Sequence, residues 1–140
     1  MKVMILGKAT AESEAGELGS PEDFAAMNAF NEQLLEAGII VSGEGLQPSS
    51  KGKRVSFDRE GIPTVVDGPF AETKEVVAGY GIWEVASIDE AVEWVKRSPL
   101  RNGEVEIRKI LDASDFSPVL TEQIAEAEGR VLHEQATPSA

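Results

Sequence analysis

Two strand–helix–strand patterns constrain what this chain of 140 residues can fold into. In the first, residues 3–6 form a short apolar run, typical of a strand that is covered on both faces. Ser20 and Pro21 then predict the start of a helix, with Ser20 as the N-cap and Pro21 at the first helical position. Residues 39–41 open the next strand, so the pattern predicts a complete strand–helix–strand unit.

The second pattern occupies residues 80–110. Residues 80–85 are strand-like, and Ser87 with Glu90 three positions later predicts a capping box at the start of a helix. Residues 105–110 alternate apolar and charged side chains, which indicates a strand with one exposed face.

The first helix carries its apolar residues at spacings of three, three and four. This spacing predicts a stripe that faces the core, made of Phe24, Met27, Phe30 and Leu34.

Residues 11–19 are small, acidic and contain glycine, and we expect them to form a loop.

Between the two patterns, residues 54–58 and 62–66 bracket a turn that ends at Gly61, which predicts a β-hairpin. The order predicts an α+β fold, a ferredoxin-like βαββαβ domain with an inserted β-hairpin. A C-terminal helix is expected after Ser117 and Pro118. We therefore assign residues 1–114 to the domain and residues 115–140 to a helical extension, of which we expect residues 135–140 to form a frayed tail.

The charge balance excludes several classes of function. Thirteen basic and 25 acidic residues give a net charge of −12, which repels phosphate backbones and anionic headgroups. We expect no nucleic-acid partner, no membrane partner and a cytoplasmic protein. The chain has no cysteine, so disulfides and thiolate nucleophiles are excluded.

The segment of residues 67–75, Asp-Gly-Pro-Phe-Ala-Glu-Thr-Lys-Glu, concentrates polar groups directly after a predicted strand. The stiff corner at Gly68 and Pro69 would hold the Asp67 carboxylate at a defined angle. We predict Asp67 as a catalytic residue, with Glu44 or Glu72 as the second carboxylate of an acid–base pair. The alternative is that Asp67 caps backbone N–H groups of its own turn.

The other polar groups of this segment suit a small polar ligand. Phe70 is expected to plug the core and anchor the loop, although a solvated, salt-bridged loop would have a similar composition. A core role is the alternative for Tyr80. We predict as ligand-binding residues Gly68, Pro69, Phe70, Thr73, Lys74, Glu75 and Tyr80. No metal and no organic cofactor are expected, because no metal-ligand spacing appears and residues 43–45 do not complete a dinucleotide fingerprint.

Three stretches resemble the DGPF branch of the YCII-related family: residues 43–48, residues 67–75, and residues 79–80 with the helix around residue 94. The resemblance implies a ferredoxin-like fold and homodimers of the dimeric α/β-barrel type. It also implies a pocket lined by residues 67–75 and a role linked to sigma-factor-dependent transcription. The His/Asp pair proposed for some relatives does not carry over, because the single histidine is His133, near the C-terminus.

Three hypotheses about function follow. The first is an enzyme without a cofactor that acts on a small polar substrate through its carboxylates. The second is a non-catalytic ligand-binding or regulatory module. The third gives residues 67–75 a purely structural role in shaping the loop and the dimer.

Overall fold

A computed structural model describes residues 1–136 of the protein. The chain has mixed α+β structure with antiparallel strands, which confirms the predicted class. The strands are β1 (Lys2–Lys8), β2 (Ile40–Gly45), β3 (Lys53–Phe57), β4 (Pro63–Asp67), β5 (Val77–Glu84) and β6 (Val105–Lys109). The helices are α1 (Ala11–Glu14), α2 (Pro21–Glu36), α3 (Ile88–Lys96) and α4 (Pro118–Ala136), with short 3-10 turns at Ser49–Lys51, Thr73–Glu75 and Ala113–Asp115.

Four of these strands form one antiparallel sheet in the order β2-β5-β1-β6. Helix α2 connects β1 to β2, and α3 connects β5 to β6. Strands β3 and β4 pair only with each other among the described residues, as a separate hairpin in which Val55 lies opposite Val65. The hairpin is therefore inserted between the two strand–helix–strand units.

Helix α2 begins where the sequence predicts. The Ser20 Oγ accepts a hydrogen bond from the Asp23 N–H at 3.1 Å, and the Asp23 carboxylate accepts one from the Ser20 N–H at 2.9 Å. These bonds lower the pKa of Asp23, the backbone N–H of Ser20 most strongly. The predicted stripe is wrong at Phe24, which is 53% exposed, because only the later part of the stripe, Met27, Phe30 and Leu34, packs in the core.

Helix α3 begins at the predicted cap, but its capping box is different. The Ser87 Oγ accepts from the Glu90 N–H at 3.1 Å, as expected. The Glu90 carboxylate accepts from the Ala86 N–H at 2.8 Å rather than from the N–H of Ser87. The Glu90 side chain therefore binds the residue before the cap, Ala86. The other hydrogen bond of the predicted capping box, from the Ser87 N–H to Glu90, is wrong.

The core lies between the sheet and helices α2 and α3. Val3 and Leu34 are its largest fully buried side chains, and the rings of Phe30 and Trp83 meet at 6.5 Å between centroids. The buried cluster consists of Val3, Phe30, Leu34, Ile39, Trp83, Val85 and Ala91. The helices therefore cover one face of the sheet. Every second residue of each strand lies on that face.

The loop predicted for residues 11–19 is wrong at residues 11–14, which form α1. Thr10 and Ser13 cap this short helix reciprocally: the Thr10 Oγ1 accepts from the Ser13 N–H at 3.1 Å, and the Ser13 Oγ accepts from the Thr10 N–H at 2.8 Å. A capping box can start a turn of helix even where small and acidic residues follow it.

The described residues from 110 to 136 belong to a second compact unit, and residues 137–140 of the predicted tail lie outside the described residues. Asp112 and Asp115 cap the turn at Ala113–Asp115, with the Asp112 N–H donating to the Asp115 carboxylate at 2.9 Å. The predicted C-terminal helix is confirmed as α4, at whose start the Leu120 N–H reaches the Ser117 Oγ at 3.4 Å. None of the helices in residues 1–136 has the length and apolar character needed to cross a bilayer.

Candidate functional site

Glycines occupy aligned positions on three neighbouring strands. Gly79 of β5 lies opposite Gly7 of β1 on one side and opposite Gly45 of β2 on the other. Two residues further along β5, Gly81 lies opposite Gly43. These positions share the helix-covered face with Trp83, because side chains alternate along a strand. On β2 and β5 this end of the covered face therefore carries no side chains, and Ile5 and Val105 flank it on β1 and β6.

The missing side chains leave a cavity of about 590 Å³ between the sheet and the helices, which we call the glycine cavity. Its volume lies within the usual range for small-molecule pockets. Its walls are mainly apolar and come from α2, β5, α3 and the connection after α3, with Met27, Phe30, Trp83, Val95 and Leu100. Asn31, Ser42 and Ser98 add a few polar groups.

Only some of these glycines are required by the backbone. A Cβ on Gly43 would lie 3.1 Å from the Tyr80 carbonyl oxygen, and one on Gly79 would lie 3.1 Å from the Glu44 carbonyl oxygen. The backbones of β2 and β5 therefore approach each other closely at Gly43 and Gly79. At Gly45, by contrast, a Cβ would meet no heavy atom of the described residues within 4 Å, so packing does not explain the glycine.

Glu44 and Tyr80 lie directly opposite each other between these glycines, and both contribute to the cavity lining. Strand alternation directs their side chains to the other face of the sheet. On that face Tyr80 also lies opposite Leu6, which in turn lies opposite Glu106. The contribution of Glu44 and Tyr80 to the cavity lining therefore comes from their backbone atoms.

Asp67 ends β4 opposite Lys53, and its side chain is 75% exposed. The Lys53 amine donates to the Asp67 carboxylate at 2.5 Å. Asp67 and Glu72 line neither the glycine cavity nor the second cavity described below, whereas Glu44 lines the glycine cavity. Asp67 is thus bound by a side chain across the hairpin rather than by the N–H groups of its own turn.

The corner after Asp67 packs tightly against the turn at Ser49–Lys51. A Cβ on Gly68 would lie 1.7 Å from the Ser49 carbonyl oxygen, so no other residue fits there without moving the backbone. The Gly68 N–H donates to the Gly52 carbonyl at 3.0 Å, and the peptide bond to Pro69 is cis.

Ser49 is the centre of a group that we call the Ser49 cluster: Glu14 and Phe70, which are hydrogen-bonded to Ser49, and Gly68, which packs against the Ser49 carbonyl oxygen. Ser49 is 7% exposed, and its backbone N–H donates to the Glu14 carboxylate at 2.9 Å. Its hydroxyl donates to the other oxygen of Glu14 and accepts from the Phe70 N–H at 3.2 Å. These bonds, the hydroxyl first, lower the pKa of Glu14. The cluster joins α1, the Ser49–Lys51 turn and the 67–75 segment.

Phe70 does not plug the core as expected. It is half-buried and lies outside the buried cluster, and the guanidinium carbon of Arg54 sits 3.9 Å from its ring centroid. Such a cation–π contact contributes on the order of 0.5–1 kcal/mol at an exposed site. Phe70 therefore anchors the segment to the hairpin.

The end of the 67–75 segment reaches a different part of the molecule. Thr73 and Lys74 line a cavity of about 620 Å³, which we call the polar cleft, together with residues that follow β1 and precede β6. Glu72 and Glu75 flank them on an exposed 3-10 turn, with the Glu75 N–H donating to the Glu72 carbonyl at 2.9 Å. The predicted site residues thus divide among the hairpin, the glycine cavity and the polar cleft.

Within the described part of residues 1–136, no group of three or more histidine, cysteine, aspartate or glutamate residues is arranged to hold a metal ion. The charges described at the candidate sites are those of the protein side chains.

Sequence reasoning missed Gly7, Gly81, Ser49 and Glu14. A signal was present for Gly81, because Gly79 and Gly81 repeat the period-two spacing of Gly43 and Gly45 on a second predicted strand. No local pattern connects Ser49 to Glu14, which is 35 residues away.

An α+β domain with a preformed cavity between its sheet and helices defines the class of protein. The chain belongs to the YCII-related domain family, whose model matches residues 1–114. It is also 33% identical over 70 residues to an uncharacterised protein of Rhizobium meliloti (strain 1021). That alignment covers 50% of this chain and 56% of the relative, so the chain spans little more than half of that protein's length.

Among solved structures, the chain is similar to 5-chloro-2-hydroxyhydroquinone dehydrochlorinase of Burkholderia phenoliruptrix AC1100, in complex with 2,5-dihydroxybenzoquinone. The sequences are 20% identical and the TM-score is 0.45, over 84% of this chain and 100% of that structure.

Proposed function

We propose that this protein binds a small organic molecule in the glycine cavity. The observation that carries the proposal is Gly45, where a side chain would fit but none is present. Gly45 ends β2, and a glycine loses more conformational freedom on folding than any residue with a side chain, so a glycine that packing does not require has a cost in stability. A cavity kept open at that cost is best explained by an occupant.

The walls suit a ligand with a flat apolar body. Phe30 and Trp83 offer aromatic surfaces, and the glycine backbone lets a ring approach the sheet closely. Asn31, Ser42 and Ser98 provide hydrogen-bonding groups that would orient one polar substituent. A pocket with apolar walls and few polar groups is typical of small-molecule sites.

We prefer a binding role to acid–base catalysis by Asp67, Glu44 and Glu72. An acid–base pair needs both carboxylates within hydrogen-bond reach of one substrate. Asp67 is paired with Lys53 on the hairpin, while strand alternation turns the Glu44 side chain away from the cavity. A ligand-binding module also suits the regulatory role that the resemblance to the DGPF branch implies.

The cavity can be tested with 1-anilinonaphthalene-8-sulfonate, an aromatic fluorophore that carries one sulfonate group, together with phenol and indole as smaller uncharged ligands. We expect saturable binding to the native protein. The Gly45→Leu variant should fill the cavity and weaken binding by at least about tenfold, or about 1.4 kcal/mol. The measurement is a fluorescence titration, with NMR chemical-shift mapping for the smaller ligands.

Gly129→Leu is the matched control, since a Cβ on Gly129 in α4 also meets no described heavy atom within 4 Å. Circular dichroism establishes that both variants keep their fold. A folded Gly45→Leu protein that binds all three compounds as well as the native chain would contradict the proposal.

We also propose the ferredoxin-like, dimeric α/β-barrel arrangement that the sequence suggests. The strand order β2-β5-β1-β6 with both helices on one face supports it. The face opposite the helices carries half-buried apolar side chains on β1 and β5, including Leu6 and Ile82, which a second copy could cover. Light scattering should give the mass of two chains at micromolar concentration, and the mass of a single chain would contradict the homodimer.

A further inference from the structure

The polar cleft differs from the glycine cavity in the chemistry of its walls. It is lined by charged side chains of both signs, Lys8 and Lys74 against Glu12 and Glu104, with the polar groups of Thr73 and Asn102 between them. All of these residues belong to the unit formed by residues 1–109. The cleft is therefore a candidate site in its own right, independent of the function proposed for the glycine cavity.

The Lys8 amine is held in an unusual position. Its side chain is only 12% exposed, and its nearest acidic partner is the Glu106 carboxylate at 3.6 Å, beyond normal hydrogen-bonding distance. No fully buried side-chain nitrogen or oxygen without a partner occurs in the described part of the chain. The amine therefore reaches solvent and keeps donors for a further acceptor, and Lys8 is a lining residue of the cleft.

The other three charges at the cleft have no partner among the described residues. Within residues 1–136, the side chains of Lys74, Glu12 and Glu104 take part in no described hydrogen bond or ion pair. Opposite charges that line one cleft but do not pair with each other can be satisfied by a ligand that carries both signs. The cleft is large enough for one, at about 620 Å³.

The net charge of the chain favours a zwitterion over an anion as the ligand of the polar cleft. At −12, the protein repels a phosphate dianion or a simple carboxylate before it reaches the lysines. A zwitterion carries no net charge and experiences no such repulsion. Lys8 and Lys74 would bind its carboxylate, and Glu12 and Glu104 its ammonium group.

We infer that the polar cleft binds a small zwitterion with a carboxylate and an ammonium group, the chemistry of an α-amino acid. The residues that carry the site are Lys8 and Lys74 for the carboxylate and Glu12 and Glu104 for the ammonium group. Thr73 and Lys74 of the 67–75 segment then have a binding role that Asp67 does not share.

The test is a titration of the isotope-labelled native protein with L-alanine, followed by NMR. The amide resonances of Lys8, Thr73, Lys74 and Asn102 should shift together and saturate. Acetate, methylammonium and inorganic phosphate at equal ionic strength should each bind at least about tenfold more weakly, since each satisfies one sign only.

Lys74→Met and Glu12→Gln should each weaken L-alanine binding by at least about tenfold. Lys51→Met is the matched control, because Lys51 is an exposed lysine on the Ser49–Lys51 turn and lines neither described cavity. Gly45→Leu should leave L-alanine binding unchanged, which separates this site from the glycine cavity.

Three results would overturn the inference. One is the absence of saturable shifts with L-alanine in the native protein. Another is equal or tighter binding of acetate or phosphate, which would make the cleft an anion site. The third is unchanged L-alanine affinity in a folded Lys74→Met variant.

Discussion

The Ser49 cluster and the glycine cavity both depend on glycine, but for opposite reasons. At Gly68 the Ser49 carbonyl oxygen occupies the space where a Cβ would lie, 1.7 Å away. At Gly45 that space is open among the described residues. The first glycine is required for the chain to pack, whereas the second leaves a volume unfilled. A glycine alone therefore does not indicate a site, and the space around its missing side chain distinguishes the two cases.

The same comparison separates the two halves of the predicted site. The residues that open the 67–75 segment, Asp67 to Phe70, contact the hairpin and the Ser49–Lys51 turn. The residues near its end, Thr73 and Lys74, line the polar cleft. A compact motif in the sequence thus divides in space into a structural part and a part available to ligands.

The largest effect is expected from Gly68→Ala. The new methyl group cannot be accommodated next to the Ser49 carbonyl, so we expect a loss of at least about 3 kcal/mol in the free energy of unfolding. Urea unfolding followed by circular dichroism measures it. Gly45→Ala is the matched comparison and should be neutral or stabilising, by up to about 1 kcal/mol. Similar losses at the two positions would remove the distinction drawn between them.

Ser49→Ala should have the next largest effect. It removes the hydroxyl that donates to Glu14 and accepts from the Phe70 N–H at a buried position. We expect a loss of about 1–3 kcal/mol, the cost of leaving such groups unsatisfied. Ser50→Ala, at an exposed neighbouring position, is the control. Equal stability of the two variants would show that the Ser49 cluster does not hold the loop.

Glu14 should make the Ser49 cluster sensitive to acid. Its pKa is lowered in the folded protein by the hydroxyl and the N–H of Ser49. A depressed folded pKa contributes stability above the unfolded pKa, and that contribution is lost as pH falls through the folded value. The native protein should therefore lose stability relative to Glu14→Gln below about pH 4.3, the ordinary range of glutamate.

The measurement is the difference in unfolding free energy between the native chain and Glu14→Gln from pH 7 down to pH 3. A difference that stays constant through the acidic range would show that Glu14 does not interact with Ser49 in solution. The glycine cavity should keep its ligand affinity in Glu14→Gln, because Glu14 does not line it.

Asp67→Asn should have the smallest effect on stability. The Asp67–Lys53 pair is exposed, with side chains 75% and 66% accessible, and such pairs contribute at most about 1 kcal/mol. Folding and binding of 1-anilinonaphthalene-8-sulfonate should both survive. Loss of ligand binding in a folded Asp67→Asn protein would restore the predicted role of Asp67 and contradict the division of the 67–75 segment.

Local patterns predicted much of the domain correctly. The caps at Ser20 and Ser87 and the turn at Gly61 depend on residues a few positions apart, which the sequence places together. The helix at residues 11–14 and the exposure of Phe24 were predicted incorrectly. In the first case an unrecognised capping box prevailed over composition, and in the second the apolar spacing alone did not show that the core contacts begin only at Met27.

By itself, the sequence determined the class of fold, the order of its elements and the presence of glycines at alternate strand positions. Only the tertiary structure decided that these glycines align across β1, β2 and β5, that Ser49 meets Glu14 and Phe70, and that Asp67 lies apart from both cavities. The physical reason is the separation along the sequence of the residues that interact. Caps and turns are set by neighbours along the chain, whereas a cavity depends on strand register and on contacts between distant residues.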